Sequence, residues 1–338
     1  MTEKPKNFVR HIHDPDYETQ YRGKPIDHRS MIFDRGRDKE SLNGWWNFGI
    51  DQYDTCLRAR WFEEKDMEDG RTLPVDYSFD EWEKIRVPSC WNTERERYFL
   101  YEGSAVYTRK FRYVPRGEKR VFLKFGAANY EAKVFLNREY LGFHKGGSTP
   151  FCIEVTGKLQ PQNRILVVVN NTRKRTSVPC ENTDWFNYGG LYRDVELIRL
   201  PAAFIKDFTA HLVPGSGFSR IRVTVTIDGA DSGTAVFAIE ELGIRHSIDV
   251  VNGFGSAEID ARPVLWSPDN PKLYDVRLTF GEDEVRDRIG FREIRVRGTD
   301  ILLNGEKIYL KGISAHEESV KNGKAISEDE IRENFRLA

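Results

Sequence analysis

Apolar and polar residues alternate along much of this chain with the two-residue period of a half-buried strand. Between Arg220 and Asp228, Ile221, Val223, Val225 and Ile227 fall on one face and Arg222, Thr224 and Thr226 on the other. Tyr274, Val276, Leu278 and Phe280 repeat the pattern against Asp275, Arg277 and Thr279. Earlier segments are more continuously apolar and aromatic: 45–50, 105–114, 120–125, 130–136, 151–155, 165–169 and 195–200. Gly126, Asn137, Gly146, Gly147, Pro150, Pro161 and Asn163 punctuate them, and no long amphipathic helix intervenes. Short strands with turn residues between them predict a mainly β fold, with a sandwich or jelly roll over residues 1–200. The second series adds 235–239 and 246–251 as strands. About seven short strands in roughly ninety-five residues predict an immunoglobulin-like sandwich over 201–296.

The pattern changes after Arg297. Two apolar triplets, 301–303 and 308–310, flank Asn304-Gly305, a pair that tolerates positive φ and so predicts a two-strand hairpin. Ser327 and Glu330 have the spacing of a capping box, and Ile331 and Phe335 stand four apart on the helix that follows. A short amphipathic helix needs a surface to cover. A strand followed by a capped helix therefore reads as the start of an α/β domain over 297–338, with the remainder outside the chain.

Of the 338 residues, 39% are hydrophobic and 31% charged, which excludes a disordered polymer. The formal net charge is −1, so no long-range field favours nucleic acid or an anionic membrane. No apolar run reaches the roughly 18–20 residues of a membrane span, and the polar N-terminus resembles no secretory signal. Cys56, Cys90, Cys152 and Cys180 are far apart with no CxxC pair, which reads as reduced thiols in a cytoplasm. On that reading the sequon Asn170-Asn171-Thr172 is fortuitous. Any single Trp reads as core before sugar platform.

Three longer segments carry a resemblance. Ser41-Leu42-Asn43-Gly44-Trp45-Trp46-Asn47-Phe48 is one, and residues 184–195 (DWFNYGGLYRDV) are the second. The third runs from Gly290-Phe291-Arg292 through Leu303-Asn304-Gly305 and Leu310-Lys311-Gly312 to His316-Glu317. Leu265-Trp266-Ser267-Pro268 and Pro271-Lys272-Leu273-Tyr274 add a fourth motif. In this order and spacing they resemble glycoside hydrolase family 2, the β-galactosidase/β-glucuronidase group. The resemblance implies a sugar-binding jelly roll, an immunoglobulin-like sandwich and a (β/α)₈ barrel. A complete barrel takes about 250 residues, and only about forty follow the second sandwich. The family's barrel stretch with its Asn-Glu acid/base motif has no counterpart here.

Retaining β-glycosidases need two carboxyl groups roughly 5–5.5 Å apart, one as nucleophile and one as acid/base. Both lie in the barrel by resemblance, so no catalytic residue is assigned among the chain's 53 acidic side chains. The resemblance gives substrate contact to Asp184, whose carboxylate accepts sugar hydroxyls, and to His316 and Glu317 at the barrel mouth. The plainer alternatives are a surface-loop acid for Asp184 and a structural His bonding Glu317 or backbone. Arg193 reads as an ion-pair or hydrogen-bond partner, and Asn187 as a turn residue. No cofactor or metal is expected. HExxH fails because Val320 stands where the second His belongs, and His11 and His13 lack a third ligand nearby. No GxGxxG, Walker or GxSxG motif occurs, and 142–147 (GFHKGG) reads as a hairpin loop rather than a phosphate loop. The implied partners are a β-glycoside, the rest of the barrel and, by family habit, a second copy in a homo-oligomer. The alternative function is a carbohydrate-binding module without hydrolytic activity.

Overall fold

The computed structural model describes residues 21, 23–66, 72–74, 79–178 and 180–338; His11 and His13 lie outside them. Two sheets face each other in the first sandwich. One orders its strands Lys39–Ser41, Val195–Leu200, Arg120–Phe125, Phe151–Glu154. The other runs Lys84–Val87, Gly44–Asp51, Ser104–Arg112, Gln162–Asn170, Glu131–Leu136, Glu139–Lys145. Their pairings are antiparallel. Trp46 and Phe48 alternate into the space between the sheets with Tyr107, Phe125, Phe151 and Leu197, while Trp45 points out to water. The run 165–169 does not alternate because both its faces are covered. Ile165, Val167 and Val169 meet the sandwich core, and Leu166 and Val168 meet an outer layer of Cys56, Leu57, Trp61, Phe62 and Phe79.

The second sandwich forms one continuous, curled run of seven strands. Its order is Phe204–Leu212, Arg220–Asp228, Phe254–Asp260, Ile244–Val251, Ser232–Ile239, Tyr274–Phe280, Asp283–Ile289. The alternating residues Ile221, Val223, Val225, Tyr274, Val276 and Leu278 all face its core. The segment ahead of the first strand reaches across to this sandwich. Phe33 packs edge-on against Phe208, ring centroids 5.0 Å apart. Arg37 pairs with Asp283 at 2.7 Å, both side chains almost excluded from water.

The Asn304-Gly305 hairpin forms with positive φ at both turn residues, 53° and 89°. It joins Asp300–Leu303 to a short Glu306–Lys307 strand, with Ile294–Arg297 on the other side. Ile308 adds one more bond, to the Ile301 carbonyl at 3.0 Å, and residues 309–315 then leave the ladder. Tyr309, Leu310 and Ile313 are exposed. The helix Glu328–Leu337 carries the expected capping box, with Ser327 Oγ accepting from Glu330 N and Glu330 accepting from Ser327 N at 2.8 Å. Phe335 and Leu337 on it are exposed. Among the described helices none is long and apolar enough to cross a membrane.

Candidate functional site

The described residues of 171–194, which carry the DWFNYGGLYRDV segment, form no strand beyond a single bridge from Gly190 to Asn129. Buried amides shape the segment instead. Asn92 Nδ2 donates to the carbonyls of Tyr98, Phe99 and Tyr101, and Asn92 Oδ1 accepts from Gly189 N at 2.8 Å. Asn129 Nδ2 reaches Asn187 Oδ1 at 3.3 Å and donates to the Tyr188 carbonyl. A buried polar group without a partner costs about 1–3 kcal/mol, so each of these amides pins the backbone it serves. A Cβ on Gly189 would sit 2.0 Å from Trp91 Cζ2, so only glycine lets the segment lie against that fully buried indole. The turn-residue reading of Asn187 is corrected here. It is buried and bonded to Asn171 and Asn129, because a loop without a ladder must satisfy its polar groups through side chains.

Pinned in this way, the segment projects Asp184 and Trp185 outward, both exposed, and departs from the core reading for Trp at that position. Residues 315–326 come to meet it. Ala325 packs onto Cys90, Ala127 and Tyr192, and Ser319 and Gly323 exchange backbone bonds at 3.0 and 2.8 Å. Trp185 Nε1 donates to His316 Nε2 at 3.2 Å, with the rings 5.5 Å apart. Arg193 Nη2 donates to Glu317 at 2.7 Å, which bears out the ion-pair reading of that arginine.

Between these walls lies a cavity of about 870 Å³, bordered by Trp185, Tyr192, Arg193, His316, Glu317 and Lys324. Asp34, Glu196, Lys39 and Lys124 also line it. Burial pushes the Asp34 carboxyl up, but Lys124 and Lys39 outweigh it and hold the group below its usual value. Burial likewise pulls Lys124 down, and Asp34 and Glu196 overcome it and raise the ammonium. Lys39 and Lys124 each pair with both Asp34 and Glu196. Asp184 does not join His316 and Glu317 in this cavity. It lines an adjoining cleft of about 380 Å³ with Phe99, Tyr101, Glu102 and Arg173, and Trp185 borders both spaces.

Among the described residues no group of His, Cys, Asp and Glu is placed to hold a metal ion. All four cysteines are free, and burial pushes the Cys90 thiol up to about 12, so it is no nucleophile. The arrangement suits binding: an exposed indole to stack on a ring, carboxylates to accept hydroxyl protons, and imidazole and ammonium groups to donate. The asparagine scaffold and the Trp185–His316 contact had no local signal in the sequence, because their partners come from distant segments.

Three family models match in succession. The sugar binding domain of the glycosyl hydrolases family 2 covers residues 39–201, the central family 2 model covers 204–292 and the family's TIM barrel domain covers 294–338. The chain belongs to glycosyl hydrolases family 2. This family 2 chain is 27% identical to a β-glucuronidase of Paenibacillus borealis, over 89% of its own length and 53% of that protein. It is 28% identical to a β-galactosidase of Thermoanaerobacter pseudethanolicus, over 71% of the chain and 36% of that enzyme. It superimposes on Bifidobacterium dentium β-glucuronidase complexed with coumarin-3-O-glucuronide with a TM-score of 0.76 at 26% identity, covering 91% of this chain and 56% of that one. The family 2 chain thus spans about half the length of the β-glucuronidases it matches.

Proposed function

We propose that this chain is the front part of a retaining β-glycosidase acting on terminal β-linked sugars, of the β-glucuronidase or β-galactosidase type. In this reading 1–200 is the sugar-binding domain, 201–296 the immunoglobulin-like spacer and 297–338 the start of the catalytic barrel. The observation that carries it is the meeting of Trp185 with His316 across one cavity. The segment that ends the first sandwich and the first barrel loop converge on a single ligand-sized space. Trp185 supplies the stacking face, Asp184 and Glu317 accept hydroxyls from either side of it, and His316 orients the ring. Both catalytic carboxyls belong to barrel residues beyond the 338 of this chain, so these residues bind without cleaving. Four free thiols, three of them buried, fit a reducing cytoplasm.

Chromogenic β-glucuronide and β-galactoside assays on the purified 338-residue chain test this reading. The expected result is no turnover, and substantial hydrolysis overturns it. Calorimetric titration with glucuronate and galactose should show weak binding, since the cavity lacks its barrel wall. A stand-alone binding module would instead bind tightly. The exposed Tyr309, Leu310, Ile313 and Phe335 argue against that alternative, because a self-contained binder has no use for an uncovered apolar face.

A further inference from the structure

We propose that Arg193 is a positioning residue that fixes His316 at the mouth of the cavity, an inference that rests on the sugar-binding reading of that cavity. The guanidinium reaches two separate stretches of the same loop. Nη2 donates to the Glu317 carboxylate at 2.7 Å, and Nη1 donates to the Lys324 carbonyl and, at 3.1 Å, to the Tyr192 carbonyl. Its plane also lies over the Tyr192 ring, 5.3 Å from the centroid. A planar fork of fixed donors is what bridging a carboxylate and a carbonyl on different segments requires, and a point charge on a flexible stem does not supply it.

Three features make this residue the place where the course of His316 is decided. Upstream, residues 309–315 pair with no strand and leave Tyr309, Leu310 and Ile313 exposed, so nothing on that side fixes the histidine. Downstream, Ala325 is seated on Cys90, Ala127 and Tyr192, which anchors the far end of the loop but lies nine residues from His316. Between them stands Glu317, the immediate neighbour of His316, gripped by Arg193. The first sandwich leaves room for the grip, since a Cβ on Gly126 would lie 2.7 Å from Arg193 Cβ. The Trp185–His316 hydrogen bond, between two exposed rings, then follows from where Arg193 holds the backbone. Arg193 itself borders the cavity, and its three hydrogen bonds go to Glu317, Lys324 and Tyr192, so on this proposal it acts on a sugar through His316.

The test reads the Trp185 indole N–H in proton–nitrogen correlation spectra of the 338-residue chain, assigned by Trp185→Phe. His316→Ala defines the position of that resonance when the histidine partner is gone. Arg193→Ala should move the resonance to the His316→Ala position, and Arg193→Lys should move it part of the way. An indole peak unmoved in Arg193→Ala, or moved to any other position, overturns the proposal, whatever happens to the melting temperature. If Arg193→Ala does not fold, Glu317→Gln, at a side chain 66% exposed, keeps the test alive. It should produce a partial shift, and an unmoved peak there overturns the proposal. No sugar is present in these measurements, so a failure of glucuronate or galactose binding would count against the functional reading and leave this result untouched.

Discussion

Asn171 and Asn187 exchange side-chain hydrogen bonds with each other's backbone. Asn171 Nδ2 donates to the Asn187 carbonyl at 3.0 Å, and Asn187 Nδ2 donates to the Asn171 carbonyl at 2.6 Å. Both residues are buried. Asn171 Oδ1 also accepts from Gly103 N at 2.9 Å, which ties the pair to the start of a core strand. The amides replace the ladder that the segment lacks, and they carry Trp185 at a set height above the sandwich.

Asn187→Ala leaves the Asn171 carbonyl and the Asn129 amide short of a partner in a dry site. The expected loss is about 1–3 kcal/mol, read as a lowered urea midpoint with an unchanged slope. The Trp185 indole resonance should broaden in the same variant, because its supporting loop loosens. A wild-type midpoint would show that water or a shifted side chain satisfies those groups.

Trp185→Ala removes the stacking face shared by the cavity and the cleft. Weak sugar binding should fall by about 1 kcal/mol, roughly fivefold, with little change in melting temperature because Trp185 is half exposed. Asp184→Asn should weaken binding by about 1–2 kcal/mol if the sugar spans both spaces, since a charge-assisted bond becomes a neutral one. Equal affinity of Asp184→Asn and wild type, measured by calorimetry, would confine the ligand to the His316 side.

The Arg37–Asp283 pair joins the leading segment to the second sandwich. Asp283 also accepts from Ile205 N at 2.7 Å, and Arg37 donates to the Ile205 carbonyl at 2.5 Å. Asp283→Ala strands a buried guanidinium and should cost about 3–5 kcal/mol in urea unfolding. Because both side chains are almost fully buried, the loss should persist at high salt, unlike that of a surface pair.

Glu330 closes the capping box of the last helix. Hydrogen bonds from Ser327 N and from the Asn322 side chain lower its carboxyl from 4.5 to about 2. A depressed folded-state value means the cap stabilises the helix above about pH 4.5 and loses that contribution as pH falls toward about 2. Amide exchange across Glu328–Leu337 should therefore accelerate over that window once corrected for its intrinsic pH dependence. Glu330→Gln should flatten the response. An unchanged pH profile in Glu330→Gln would assign the effect to other carboxylates.

Much of the architecture is legible in the amino-acid sequence. The alternation of 220–228 and 274–280, the Asn304-Gly305 turn and the Ser327–Glu330 cap each depend on residues within a few positions of one another. Local spacing decides which face of a strand is apolar, which turn admits positive φ and which side chain reaches an end amide. The site was legible only as a set of residues. Tertiary structure decided that Asp184 borders a different space from His316, that Asn187 is buried, and that Trp185 meets a histidine 131 positions away. Those outcomes depend on how the first sandwich and the barrel loop are brought together. A polar side chain's partner there comes from another segment, so no periodicity along the chain records it.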